Sequence, residues 1–112
     1  MPYLIYITKW PSHKAGEAAK KAYEQVKKFP PDESLGVDLT PGNAFKGTAD
    51  GVKTLGITNV AKGKLEDAFI YMTAIMNFYA TAIEGFEYSI EVWSTEDEAW
   101  SSIGQKPPEP QQ

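Results

Sequence analysis

Cysteine is absent from the 112-residue chain, and so is arginine. Without thiols there is no disulfide, no thiolate nucleophile and no cysteine-ligated zinc or iron–sulfur centre. Without arginine the usual bidentate reader of phosphates, carboxylates and guanines is missing. Eleven lysines against fifteen acids leave a formal charge of −4, which argues against nucleic acid as a partner, because phosphate contacts need clustered cations. Only Lys14, Lys20, Lys21, Lys27 and Lys28 gather, and with Glu17 and Glu24 between them they read as a solvated helix face. Phosphate-cradling glycine patterns are lacking at the start of either long helix, and no nucleophile elbow surrounds Ser12. Long apolar runs are missing too. Tyr3 to Ile7 is too short for a signal-peptide core and lacks a basic leader, and the uncharged run from Ala68 to Ile83 falls short of the ~20 residues of a membrane span. The reading is a cytoplasmic chain without a membrane span, with one domain over residues 1–104 and a proline-rich, flexible tail over 105–112.

What is present is strong periodicity. Tyr3-Leu4-Ile5-Tyr6-Ile7-Thr8 predicts a strand ended by Pro11. Ser12 then serves as N-cap of a helix reaching Lys28, whose stripe of Ala15, Ala19, Ala22, Val26 and Phe29 predicts close approach to whatever it covers. Residues 35–43 read as mostly irregular. Ala44 to Thr48 and Val52 to Val60 read as strands joined at Asp50-Gly51, a type I′ hairpin signal. A long helix from Lys64 to Ile83 carries Leu65, Phe69, Met72, Met76 and Tyr79 on one stripe, widened by Tyr71 and Phe78. Strict alternation makes Phe86 to Trp93 a strand. Ser94-Thr95-Glu96-Asp97-Glu98 opens a short last helix with Ala99, Trp100 and Ile103 turned inward.

The order strand, helix, strand, strand, helix, strand predicts an α+β fold, a ferredoxin-like β-α-β-β-α-β antiparallel sheet with two helices on one face and a short C-terminal helix appended. In its element order, and in segments such as Tyr3-Leu4-Ile5-Tyr6-Ile7 and Gly85-Phe86-Glu87-Tyr88-Ser89-Ile90-Glu91-Val92-Trp93, the chain resembles the dimeric α/β-barrel superfamily over most of residues 3–103. That resemblance implies pairing of two copies, sheet against sheet, around a shared cavity. It also implies a range of chemistries, among them cofactor-independent monooxygenases, isomerases and haem-handling proteins, from which fold alone does not choose. The irregular stretch before Asn43 departs from the family, which has its second strand there.

Candidate site residues follow from the strand faces. With Ile5 and Ile7 turned toward the helices, Tyr6, Thr8 and Trp10 face the other way together with Glu87, Ser89, Glu91 and Trp93. Glu87 and Glu91 stand roughly 13 Å apart at ~3.3 Å per residue, so they form no intimate acid/base pair. Burial could still raise one pKa and suit it to proton transfer, and the competing reading pairs them with Lys9, Lys46 or Lys53. His13, Tyr6, Glu87 and Glu91 are the catalytic candidates, while Trp10, Trp93, Thr8 and Ser89 are the ligand-binding ones. No metal site is predicted and no cofactor, with haem left open through His13 as an axial ligand. The expected function is a homo-oligomer that binds a small apolar or aromatic molecule between facing sheets, with cofactor-independent oxygenation or isomerisation as its enzymatic form. The alternative is a structural protein assembling through Ile70, Tyr71, Phe78 and the tail.

Overall fold

The first strand sets the frame. The computed structural model describes Met1–Glu109, so Pro110, Gln111 and Gln112 of the expected tail lie outside the described residues. Strand β1 (Tyr3–Trp10) is paired along its length with β4 (Gly51–Val60) on one side and with β5 (Glu87–Trp93) on the other, antiparallel in both cases. The remaining edge of β4 is taken by two short strands, β2 (Gly36–Asp38) and β3 (Ala44–Thr48). Between them the chain keeps its hold on β4: the Leu39 N–H donates to the Ile57 carbonyl at 2.8 Å, and the Ile57 N–H donates to Thr40 Oγ1 at 2.9 Å. The irregular segment is therefore a kinked edge, turned by Gly42 and Asn43 at positive φ. With helices α1 (Ala15–Lys28), α2 (Leu65–Ala80) and α3 (Glu96–Ser101), the chain is an α+β fold on an open five-stranded antiparallel sheet, compatible in broad terms with the ferredoxin-like arrangement. Among the described residues no helix is long and apolar enough to cross a membrane.

Local chemistry explains most boundaries and corrects some expectations. Thr95 and Glu98 form the reciprocal cap of α3, Thr95 Oγ1 accepting from the Glu98 N–H at 3.2 Å and Glu98 Oε1 accepting from the Thr95 N–H at 2.7 Å. Yet α3 buries none of its residues, and Ala99 and Ile103 face solvent. Ser12 makes no capping bond; the segment Ser12–Lys14 is a 3-10 turn that ends before α1 begins. The β3–β4 hairpin is present without the type I′ turn, since Ala49 and Asp50 keep negative φ and only Gly51 is positive. Helix α2 ends at Ala80, and Ile83 is buried in the turn beyond it.

The core is small and one-sided. Leu4, Leu35, Val60 and Ala68 form one buried cluster, and Tyr6, Ile75 and Met76 form another, with Met72, Tyr71 and Ile90 packed against both. Helix α2 thus sits directly on β1 and β5. Helix α1 does not follow it down. Ala18 is its one buried residue, and Ala15, Ala19 and Ala22 stay exposed although they line the space under the helix. Alanine permits close approach, but α1 is held instead from the side, by α2. The Tyr79 hydroxyl donates to Gln25 Oε1 at 2.6 Å and the Tyr71 hydroxyl to the Pro30 carbonyl at 2.6 Å. Phe29 meets Phe78 edge-on with ring centres 5.7 Å apart.

Candidate functional site

Suspending α1 beside α2 leaves a cavity of about 870 Å³ between the helix layer and the sheet, within the size range of small-molecule sites. Its floor is the helix-facing row of β1, Leu4, Tyr6, Thr8 and Trp10, with Thr54 and Thr58 of β4 beside them. Its wall is α2, through Met72, Ile75, Met76 and Tyr79, and its roof is the alanine stripe of α1. It opens toward the β2–β3 edge, where Val37, Asp38, Asn43 and Phe45 are exposed.

The floor is polar at its centre. Thr8 and Thr54 are buried, and their hydroxyls hydrogen-bond to each other. Tyr6 lies opposite Gly56, and its ring crosses the bare backbone there to donate from its hydroxyl to Asn43 Oδ1 at 3.0 Å. Asn43 is the single non-glycine among the described residues with positive φ, at 62°, a conformation short polar side chains tolerate. Burial, with the negative charge of Asp38 second, pushes the Tyr6 hydroxyl up to about 12. Tyr6 near neutrality is therefore a hydrogen-bond donor and not a base. Burial also raises the Tyr79 hydroxyl.

The sequence-predicted residues are split between the two faces of the sheet. The register sets Leu4 against Val92, Tyr6 against Ile90 and Thr8 against Tyr88, and directly opposed residues share a face. Tyr6, Thr8 and Trp10 thus face the helices, and Tyr88 confirms the side by donating its hydroxyl to Asn77 Oδ1 on α2 at 2.8 Å. Ile5 and Ile7 face outward, contrary to expectation. On that outer face stand Glu87, Ser89, Glu91 and Trp93, opposite Lys9, Ile7, Ile5 and Tyr3. Glu91 accepts from the Trp93 indole at 2.9 Å and from Ser89 at 3.4 Å. The expected pairing of these glutamates with lysine is replaced by Lys9 with Asp50 at 3.6 Å. His13 lies exposed in the 3-10 turn, outside the cavity lining. Among the described residues no three His, Asp or Glu side chains are grouped to hold a metal ion.

The residues expected to contact further subunits divide as well. Tyr71 and Phe78 are engaged by α1, the amines of Lys21 and Lys28 lying 4.9 and 5.1 Å from the Phe78 ring centre. Ile70 is 60% exposed and free of α1, and Phe69, expected to face the sheet, is 40% exposed. Sequence reasoning missed Asn43, Gly56, Thr54 and Gln25. One signal for Gly56 was available, a glycine inside an otherwise regular strand, which marks a close approach. No protein-family model, curated protein or solved structure matches the chain, and the functional reading rests on the chemistry of the site itself.

Proposed function

We propose that the protein binds a small apolar or aromatic molecule in the cavity beneath α1. The observation that carries this reading is the cavity's composition: aromatic and aliphatic walls around a floor of hydroxyls, and a roof of alanines left uncovered. An apolar helix stripe held off its sheet leaves water against hydrocarbon, which a ligand would displace favourably. If the site is catalytic, Tyr6 orients a substrate donor through its hydroxyl oxygen, because its one proton is held by Asn43 Oδ1. Replacing Ala22 with tryptophan puts a ring into the space without opening the core. With 1-pyrenemethanol as probe, energy transfer from tryptophan to pyrene in the native protein and at least about tenfold weaker binding in Ala22→Trp are expected from steric occlusion. Equal binding by both proteins, or no binding by the native one, removes the reading.

The outer sheet face favours a second reading, self-association, which the resemblance to the dimeric α/β-barrel superfamily supports. Tyr3, Ile5, Ile7, Leu55 and Ile57 form its centre, with Lys9, Lys53 and Lys46 in one row across three strands and Glu87 at the end of that row. The accessible surface of 7684 Å² exceeds the about 6,100 Å² usual for this mass. Ile7→Glu, a charge at the centre of the face, is expected to convert a dimer to a monomer in sedimentation equilibrium; an unchanged mass of twice 12.4 kDa in the variant sinks this interface. Of the α2 residues expected to serve structural assembly, Ile70, Tyr71 and Phe78, Ile70 alone is left free of α1, with exposed Phe69 beside it.

A further inference from the structure

Three carboxylates, Asp32, Glu33 and Asp38, stand among the residues lining the cavity, and no lysine or histidine does. In a chain with eleven lysines that exclusion has a structural cause. Lys9, Lys46 and Lys53 lie on the other face of the sheet, a consequence of the strand register. Lys21 lies over Phe78, and Lys28 over both Phe78 and Phe29, without either amine joining the cavity lining.

The acids at the mouth are not neutralised within the chain. None of the ion pairs formed among the described residues includes Asp32, Glu33 or Asp38. Asp38 Oδ1 accepts from the Thr40 N–H at 2.9 Å and its hydroxyl at 3.4 Å. Asp32 Oδ1 accepts from the Ser34 N–H at 3.1 Å and its hydroxyl at 2.5 Å. Each carboxylate is thereby oriented through one oxygen, and the hydrogen bonds among the described residues leave the other oxygen unused. Their field reaches inward, because Asp38 contributes to raising the Tyr6 hydroxyl and Asp32 to raising that of Tyr71, after burial in each case. Trp10, Tyr6 and the stacked pair Tyr79 and Phe86, 5.4 Å apart, offer ring faces to a cation. An anion would lose its water against uncompensated carboxylates with no partner charge to recover the loss.

Resting on the small-molecule reading of the same cavity, we infer that its ligand is an apolar amine, with a hydrocarbon or aromatic body beneath α1 and a protonated nitrogen at the mouth beside Asp38. Phosphate esters and carboxylic acids are disfavoured by the same arrangement.

Three probes of one shape and different charge test this at neutral pH: 1-pyrenemethylamine, 1-pyrenemethanol and 1-pyrenecarboxylate, titrated calorimetrically into the full chain. The amine is expected to bind at least about tenfold more tightly than the carboxylate, with the alcohol between them, from ion pairing and ring contact together. Asp38→Asn should cut the amine-to-carboxylate ratio by about threefold or more, whereas Glu96→Gln on distant α3 should leave it in place; both remove one negative charge, so a net-charge effect would move them equally. Binding of the alcohol with no preference for the amine, or equal effects of the two variants, overturns the charge assignment and leaves the cavity reading standing. Failure of all three probes overturns both.

Discussion

Gly56→Ala is expected to destabilise the fold by about 2–3 kcal/mol, although alanine is ordinarily the better residue in a strand. Relief of backbone entropy favours the substitution by roughly 0.5–1 kcal/mol. Against this, a Cβ at position 56 would lie 2.0 Å from Tyr6 Cζ and 2.4 Å from its hydroxyl oxygen, and overpacking of that kind costs about 1–3 kcal/mol before any polar loss. The Tyr6 ring, 8% exposed, must lift from the sheet, and in lifting it gives up its bond to Asn43, worth about 1 kcal/mol. Steric terms therefore win over propensity. Urea unfolding reads the effect, and a double-mutant cycle identifies its cause: in a Tyr6→Ala background the glycine substitution should cost almost nothing. An additive cycle would show that the ring and the glycine are independent.

The second large effect belongs to Leu4→Ala. Leu4 is fully buried and joins Leu35 of the 3-10 turn before β2, Val60 of β4 and Ala68 of α2 in one cluster. Removing three carbons there leaves a void bounded by three elements that cannot all close on it, and such changes cost about 2–5 kcal/mol. With so few fully buried side chains the chain has little reserve, in a class where the total is ~5–15 kcal/mol. A urea midpoint lowered by that energy divided by the slope, with the slope unchanged, is the expected result. A loss under about 1 kcal/mol would mean that the cluster is not the centre of cooperativity.

Elements were far more legible in the sequence than faces. Alternation in Phe86 to Trp93, the apolar period of α2 and the start of a short helix within Ser94 to Glu98 each depend on neighbours in sequence, and each is found. The orientation of β1 was not readable, because Tyr3, Ile5 and Ile7 form as apolar a row as Leu4, Tyr6 and Thr8. Only pairing resolves it, and pairing reverses the ordinary order: Ile5, Ile7, Leu55 and Ile57 face outward, while Tyr6, Thr8, Thr54 and Thr58 face the helices. A semi-polar row beneath a helix layer makes a cavity floor and a poor packing surface. The stand-off of α1 was equally hidden, since an alanine stripe reads the same whether it touches a sheet or faces a void. Gly56 matters through a residue fifty positions away, which no local pattern carries.

The one-sided attachment of α1 has a consequence for how the molecule breathes. Its contacts to α2 run through tyrosine hydroxyls and ring edges, whereas the strands are locked by continuous ladders. Segments held by few buried contacts exchange and open on their own, well below the free energy of global unfolding. By that rule the amides of α1 are expected to lose protection before those of β1, β4 and β5. Such excursions widen the way into the site without disturbing its floor, and a molecule bound beneath the helix would suppress them by bridging the two layers that the chain leaves apart.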